Sequence, residues 1–275
     1  MRLSTNKRVF GIAFFIVIVC NVALSQNVEI VPKSIDDHQI EILVKNNTDQ
    51  GQSVELDCEL KRMKASADLP KTMYLSAGEE AVFVTLKPVD IYKSYSYGTS
   101  IRYVQGDITA THDDGYVYSL PYPKGKTYKV DQGYFGNKTH QNQHALDFHM
   151  DVGEEITAIR GGIVTKVVEG NDRGCPDESC NSFNNYILIT HSDGSIADYS
   201  HLQKKGAKVK VGDKVKPGDI VGISGATGWA SGPHLHLEVY TMTWTGQKTV
   251  PAKYYLDSEN MGIPKEGVSY TQSQN

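Results

Sequence analysis

The stretch SGPHLHLEVY, residues 231–240, decides how the chain is read. Leu235, Leu237 and Val239 alternate with His234, His236 and Glu238. Strand side chains point to opposite faces in turn. The pattern therefore predicts a strand with an aliphatic face toward a core and two imidazoles together on the other face. Such a pair points to a metal, a catalytic site or a chance pairing.

Working outward, the segments around this strand are also short and β-like. EITAIRGGIVTKVVEG, NYILITHSDGSIADYSHL and AKVKVGDKVKPGDIVGISG carry β-rich runs broken by glycine turns, and none holds helical spacing beyond two turns. An antiparallel β domain follows. Toward the N-terminus, QIEILVKN, SVELDCELK, AVFVTLKP and TSIRYVQG read as strands. They are separated by the turn-forming stretches NNTDQGQ, SADLPK, SAGEE and SYSYG. Strands at that spacing predict a small immunoglobulin-like β-sandwich, with scaffold or docking as its default role. His38 reads as a surface residue there, and Asp113 with Asp114 as a solvated loop. The expected organisation is a leader at 1–25, a β-sandwich domain at 26–118, the histidine-bearing domain at 119–250 and a polar tail at 251–275. LPYPKGKTY, residues 120–128, is the expected joint. The tail is expected to be loosely ordered toward its end.

Composition bounds the function. The 275 residues carry a formal net charge of −4, which gives no sign of nucleic-acid binding. Sixteen tyrosines against seven phenylalanines, with 25 glycines, favour short strands and tight turns. NKRV precedes the 15-residue apolar run FGIAFFIVIVCNVAL, and ALS precedes Gln26, the pattern of a cleaved secretory signal. The run is shorter than the ~20 residues a spanning helix needs, so no membrane span is expected after cleavage. Export permits disulfides. CPDESC predicts a hairpin loop closed by Cys175–Cys180. Cys58 shares a strand face with Val54, Leu56 and Leu60 and reads as a small packed hydrophobe.

Seven of the nine histidines lie between positions 140 and 236. They fall in three groups: THQNQHALDFHMDVG with His140, His144, Asp147 and His149; ITHSDGSIADYSHL with His191 and His201; and GPHLHLE with His234 and His236. Imidazole and carboxylate are suitable zinc donors, and a catalytic zinc takes three protein ligands while keeping one position for water.

In order, HQNQHALDFHMDVGEEI, DYSHL, VGDKVKPGDIVGISGATG and GPHLHLEV resemble the blocks of the lysostaphin/LytM-like zinc endopeptidases, which cut peptide cross-links or stems in bacterial peptidoglycan. The resemblance covers about residues 120–245 and not the N-terminal β region. It implies an antiparallel β peptidase domain of the lysostaphin type. It further implies that Asp147 and His236 are zinc ligands and that His234 and His201 are catalytic partners beside the metal. The commonest family pattern has a histidine four residues before the aspartate, where this chain has Gln143. A branch with an A-x-D-F strand places it in the preceding loop, and His140 fits that role. His144 and His149 are the rivals: His144 falls on the opposite strand face, where the branch usually has an aromatic residue, and His149 shares the Asp147 face at a position where the pattern has no histidine.

The expected function is thus an exported zinc-dependent endopeptidase acting on peptidoglycan peptides by metal-activated water. No H-E-x-x-H helix supplies a glutamate base, so His201 and His234 are the groups suited to proton transfer and oxyanion support. Which of the two is the base stays open, as does the oligomeric state. Glu238 reads as an orienting partner for an imidazole or as a plain surface carboxylate, His191 as a strand-end residue, and Trp229 as a groove wall or a cover for the core edge. The alternative class is a catalytically silent relative that binds the wall or activates other hydrolases, and intact ligand positions argue against it. VGDKVKPGDIVG also resembles a hairpin of biotinyl or lipoyl carriers, but no M-K-M lysine turn accompanies it.

Overall fold

The computed structural model describes the backbone of residues 3–9 and residues 27–274. The apolar run of the expected leader, residues 10–24, lies outside the described residues. The segment before it, Leu3–Val9, runs antiparallel to Tyr95–Gln105. Nearly every described element is a strand; the helical piece is one short 3-10 turn, Glu178–Phe183. Among the described residues no helix is long and apolar enough to cross a membrane.

Two compact units are present, one of residues 1–109 with 243–246, the other of 110–242 with 247–275. The first contains two four-stranded antiparallel sheets. One is ordered Leu3–Val9, Tyr95–Gln105, Gln52–Lys61, Lys71–Leu75; the other Val28–Ser34, Ile40–Asn46, Glu80–Pro88, Met63–Ala65. Alternation places Val54, Leu56 and Ile101 from one sheet and Ile42, Val44, Val84 and Leu86 from the other in a single buried cluster. Cys58 packs partly buried against that cluster, and burial pushes its thiol up to about 11, which keeps it unreactive. SYSYG, expected as a turn, instead opens the long Tyr95–Gln105 strand, with Tyr95 and Tyr97 facing the core. Tyrosine's strand preference and buried ring area outweigh the turn propensity of serine and glycine.

The second unit is built on a nine-stranded sheet. Its order is Lys214–Val215, Gly162–Val168, Tyr186–Thr190, Ile196–Ser200, Leu235–Thr243, Ala145–Phe148, Thr127–Gln132, Ser269–Thr271, with Gly246–Thr249 paired beside Leu235–Thr243. Its apolar face supplies Val130, Leu146, Phe148, Ala197, Tyr199, Leu235, Leu237 and Val239 to one core.

This unit takes more of the chain than composition shows. Val117–Tyr118 pairs in parallel with Lys253–Tyr255, and Tyr118 is fully buried. Arg160 fastens the segment by ion-pairing Asp193 at 2.6 Å and donating to the Tyr118 hydroxyl at 3.3 Å. His112 Nε2 lies 3.0 Å from the same hydroxyl, and its Nδ1 2.8 Å from Asp114. The polar C-terminal stretch is also tied down. Ser269–Thr271 extends the sheet beside Thr127–Gln132, and the buried Gln272 side chain donates to the Leu120 carbonyl. Backbone pairing and a few buried rings suffice where the sequence offers no apolar run.

Leu237 lies between His236 and Glu238 but on the opposite face, with no exposure. Leu237→Ala is expected to lower the unfolding free energy of the second unit by about 2–5 kcal/mol, read by urea denaturation. Val211→Ala, at a residue 56% exposed, is expected to change it by less than about 0.5 kcal/mol.

Candidate metal centre and its cleft

The polar face of the nine-stranded sheet floors a cleft of about 910 Å³. Strand pairing sets which groups meet there. Asp147 pairs directly with His236, and His236 with Ser200. One row further on, Ala145 pairs with Glu238, and Glu238 with Asp198. His140 arrives differently, from an irregular segment before Ala145–Phe148.

Three donor atoms converge: His140 Nε2 lies 3.1 Å from Asp147 Oδ1, His236 Nδ1 lies 3.0 Å from the same oxygen, and the two nitrogens are 3.3 Å apart. Among the described residues this is the group of His, Cys, Asp and Glu able to share one ion. A tetrahedral zinc with bonds of about 2.0–2.1 Å spaces its ligand atoms about 3.3–3.4 Å apart. The triangle thus has the size one such ion requires. Two neutral imidazoles and one carboxylate are also a donor set that suits zinc. The His140 side chain is fully buried, and its Nδ1 lies 3.0 Å from the Gly133 carbonyl. A carbonyl only accepts, so Nδ1 carries the proton and Nε2 keeps a free lone pair. Burial would raise the Asp147 carboxyl, but the adjacent His140 and His236 imidazoles outweigh it and hold the group ionised, well below the usual carboxylate range.

Two more imidazoles stand beside the triangle. His234 Nε2 is 3.8 Å from Asp147 Oδ1, and the His201 and His234 ring centroids are 4.6 Å apart. Each ring is tethered through Nδ1 to a carbonyl, His201 to Thr227 at 2.7 Å and His234 to Gly232 at 2.9 Å. By the same argument the neutral form of each leaves Nε2 as an acceptor. His201 is held with φ of 67°, in the left-handed region that costs a non-glycine residue about 1–3 kcal/mol. Asn184 stabilises that conformation: its Oδ1 accepts the His201 N–H and its Nδ2 donates to Ser200 Oγ. Burial, assisted by the neighbouring His234 and His236 imidazoles, pushes the His201 imidazole down to about 3, so it is neutral near pH 7.

The remaining histidines lie elsewhere. His144 packs edge-on against Phe135 and Tyr134 and hydrogen-bonds Thr249. His149 is 63% exposed and paired with Asp131 at 2.6 Å. His191 is buried at a strand end against the Gly161 carbonyl, and burial pushes it down to about 4. Glu238 is buried, with Oε2 3.9 Å from His236 Nε2. Beside it, burial and the Glu238 charge push Asp198 up to about 6. Gln132, Asn184, Asp198 and Thr227 carry no signal of their own in one sequence. They are ordinary polar residues whose role depends on what the fold brings to them.

The cleft wall near His201 is the bridged loop. Cys175 and Cys180 are disulfide-bonded. Gly174–Cys175 runs parallel to Gly228–Trp229, which leads to His234. Gly174 passes so close that a Cβ would fall 1.8 Å from the Ala226 carbonyl oxygen, so this approach requires glycine. Trp229, 38% exposed, lines the cleft.

Residues 141–251 match the sequence model of peptidase family M23. The match includes Asp147, His201, His234 and His236 and begins one residue after His140. Among curated proteins, the chain is 34% identical over 140 residues to an uncharacterized metalloprotease of Buchnera aphidicola subsp. Baizongia pistaciae, covering 49% of this chain and 33% of that one. It is 33% identical over 149 residues to the glycyl-glycine endopeptidase ALE-1 of Staphylococcus capitis, covering 54% and 34%. It is 41% identical over 93 residues to the peptidoglycan DD-endopeptidase ShyC of Vibrio cholerae serotype O1, covering 34% and 18%. The chain thus spans about a third or less of the length of these relatives.

Replacing Cys175 and Cys180 together by serine is expected to cost the second unit about 2 kcal/mol, from the entropy of a six-residue loop. Trp229 fluorescence during urea unfolding, with Trp244→Phe removing the other tryptophan, reads the change.

Proposed function

We propose that this chain, which carries a domain of peptidase family M23 at residues 141–251, is an exported zinc-dependent endopeptidase that hydrolyses peptide bonds in peptidoglycan cross-links or stems. The observation that carries the reading is the triangle of His140 Nε2, Asp147 Oδ1 and His236 Nδ1, with edges of 3.0–3.3 Å at the floor of a cleft. These three residues would hold the zinc. When bound there, zinc polarises a scissile carbonyl and lowers the pKa of a coordinated water toward 7.

The chain's own groups do the rest. In the neutral form, His201 and His234 each present an Nε2 lone pair toward the cleft, because carbonyls occupy their Nδ1 sides. One imidazole accepts the proton of the attacking water. Once protonated, an imidazole in that place donates to the oxyanion or to the leaving amine. Their anchors fix the rings before substrate arrives, so little reorganisation is needed during reaction. Glu238, on the same strand face, steadies the far side of the His236 ring.

The substrate class is supported by the similarity to ShyC, a peptidoglycan DD-endopeptidase by name. The charged and apolar pattern of residues 1–25 and the bridged Cys175–Cys180 pair support export. We read residues 26–118 as containing an immunoglobulin-like sandwich with a docking or scaffold role. Within that range a three-stranded and a four-stranded antiparallel sheet around one cluster support that reading.

Purified protein is expected to hold about one zinc per chain, by elemental analysis, and to release soluble muropeptides from peptidoglycan, with chelator abolishing release and added zinc restoring it. His236→Ala should lose the zinc. His234→Ala should keep it and lose turnover by at least about 100-fold. A His236→Ala protein with full zinc and activity would contradict the assignment. Mass spectrometry of products from defined muropeptides identifies the bond that is cut.

A further inference from the structure

We propose that Gln132 is a positioning residue for the zinc site, a buried amide that aims the Asp147 carboxylate and clamps the segment carrying His140. The inference rests on the zinc-site reading above and assigns a role to a residue that does not itself touch the ion.

Asp147 and His236 lie on paired strands, and the sheet fixes both. His140 lies on no regular element, so something else must hold it in place. Gln132 ends the strand Thr127–Gln132 and is 3% exposed. A primary amide has two N–H donors and one oxygen with two acceptor sites, and here all four are used. Nε2 donates to Thr139 Oγ1 at 2.7 Å and to Asp147 Oδ2 at 3.1 Å. Oε1 accepts the backbone N–H of Lys138 at 3.2 Å and of Thr139 at 3.3 Å. Backbone N–H groups only donate and an ionised carboxylate only accepts, so chemistry fixes which way the amide faces.

The consequences converge on the metal ligands. Holding Oδ2 turns the other oxygen, Oδ1, toward His140 and His236. Holding Lys138 and Thr139 fixes the chain immediately before His140. The carbonyl of the next residue, Gly133, accepts from His140 Nδ1 and sets the tautomer that leaves Nε2 free. Gly136 folds over the Gln132 side chain, where a Cβ would lie 2.4 Å from Gln132 Cγ. Outer partners of this kind typically change metal affinity by about 10–100-fold when removed.

The test measures the zinc dissociation constant of the full chain by competition with a chromophoric chelator. Gln132→Met keeps the volume and loses all four hydrogen bonds. Thr139→Val removes one acceptor at an exposed position and leaves the backbone contacts. Gln132→Met is expected to weaken zinc binding by about 10–100-fold and Thr139→Val by about 3–10-fold. Saturating zinc should restore the turnover of Gln132→Met to within about threefold of the parent. If Gln132→Met does not fold by circular dichroism, Thr139→Val decides alone. Zinc affinities within twofold of the parent, with only a lower melting temperature, overturn the proposal and leave the zinc site standing. A parent protein that binds no zinc overturns both.

Discussion

The antiparallel pairing of Ala145–Phe148 with Leu235–Thr243 is the constraint on which the rest depends. It sets Asp147 directly across from His236. The same pairing buries Leu146 and Phe148 beside Leu235 and Leu237. Strand alternation makes these two facts one. A slip of one residue would drive the ligand candidates into the core and the leucines into the cleft. Burial of those aliphatic side chains, at roughly 1.5–3 kcal/mol each, therefore also fixes the alignment of the polar groups. The hydrophobic effect positions the chemistry without touching it.

What the strands do not fix, short polar tethers do. His140, His201 and His234 each have Nδ1 against a backbone carbonyl. His201 is held in a left-handed conformation by Asn184, and His140 sits behind the fully bonded Gln132 amide. His236 differs, because its Nδ1 faces Asp147 and its Nε2 faces Glu238. The centre thus combines a rigid floor, given by pairing, with rings whose tautomers are set one at a time. The disulfide-bridged loop and Trp229 complete one wall above it.

Much of this was legible in the chain. HLHLEV announced its own strand and both of its faces, and the family resemblance implied the ALDF strand. The principal strands QIEILVKN, SVELDCELK and AVFVTLKP lie where their alternation put them, and CPDESC closes on itself. Less legible were segments whose order comes from distant partners. Val117–Tyr118 and Ser269–Thr271 have no periodicity to read, because each is held by a strand far away in sequence. His112 is bound by the Tyr118 hydroxyl and Asp114, a contact that no local pattern encodes. Strand parity put His144 on the face opposite Asp147, but its aromatic packing against Phe135 depends on a tertiary contact. Gln132 and Asn184 were silent for the same reason: a polar residue that orients another has no signature until both are in place.

The central claim is that one zinc ion is held by two imidazole nitrogens and one carboxylate oxygen, with a solvent position left over. X-ray absorption at the zinc K-edge of the zinc-loaded protein tests it most directly. The account predicts nitrogen and oxygen scatterers only, about four in number at roughly 2.0–2.1 Å, with the outer-shell pattern of two imidazoles that falls to one in His140→Ala. A sulfur scatterer near 2.3 Å, or a two-imidazole pattern unchanged in His140→Ala, would contradict it.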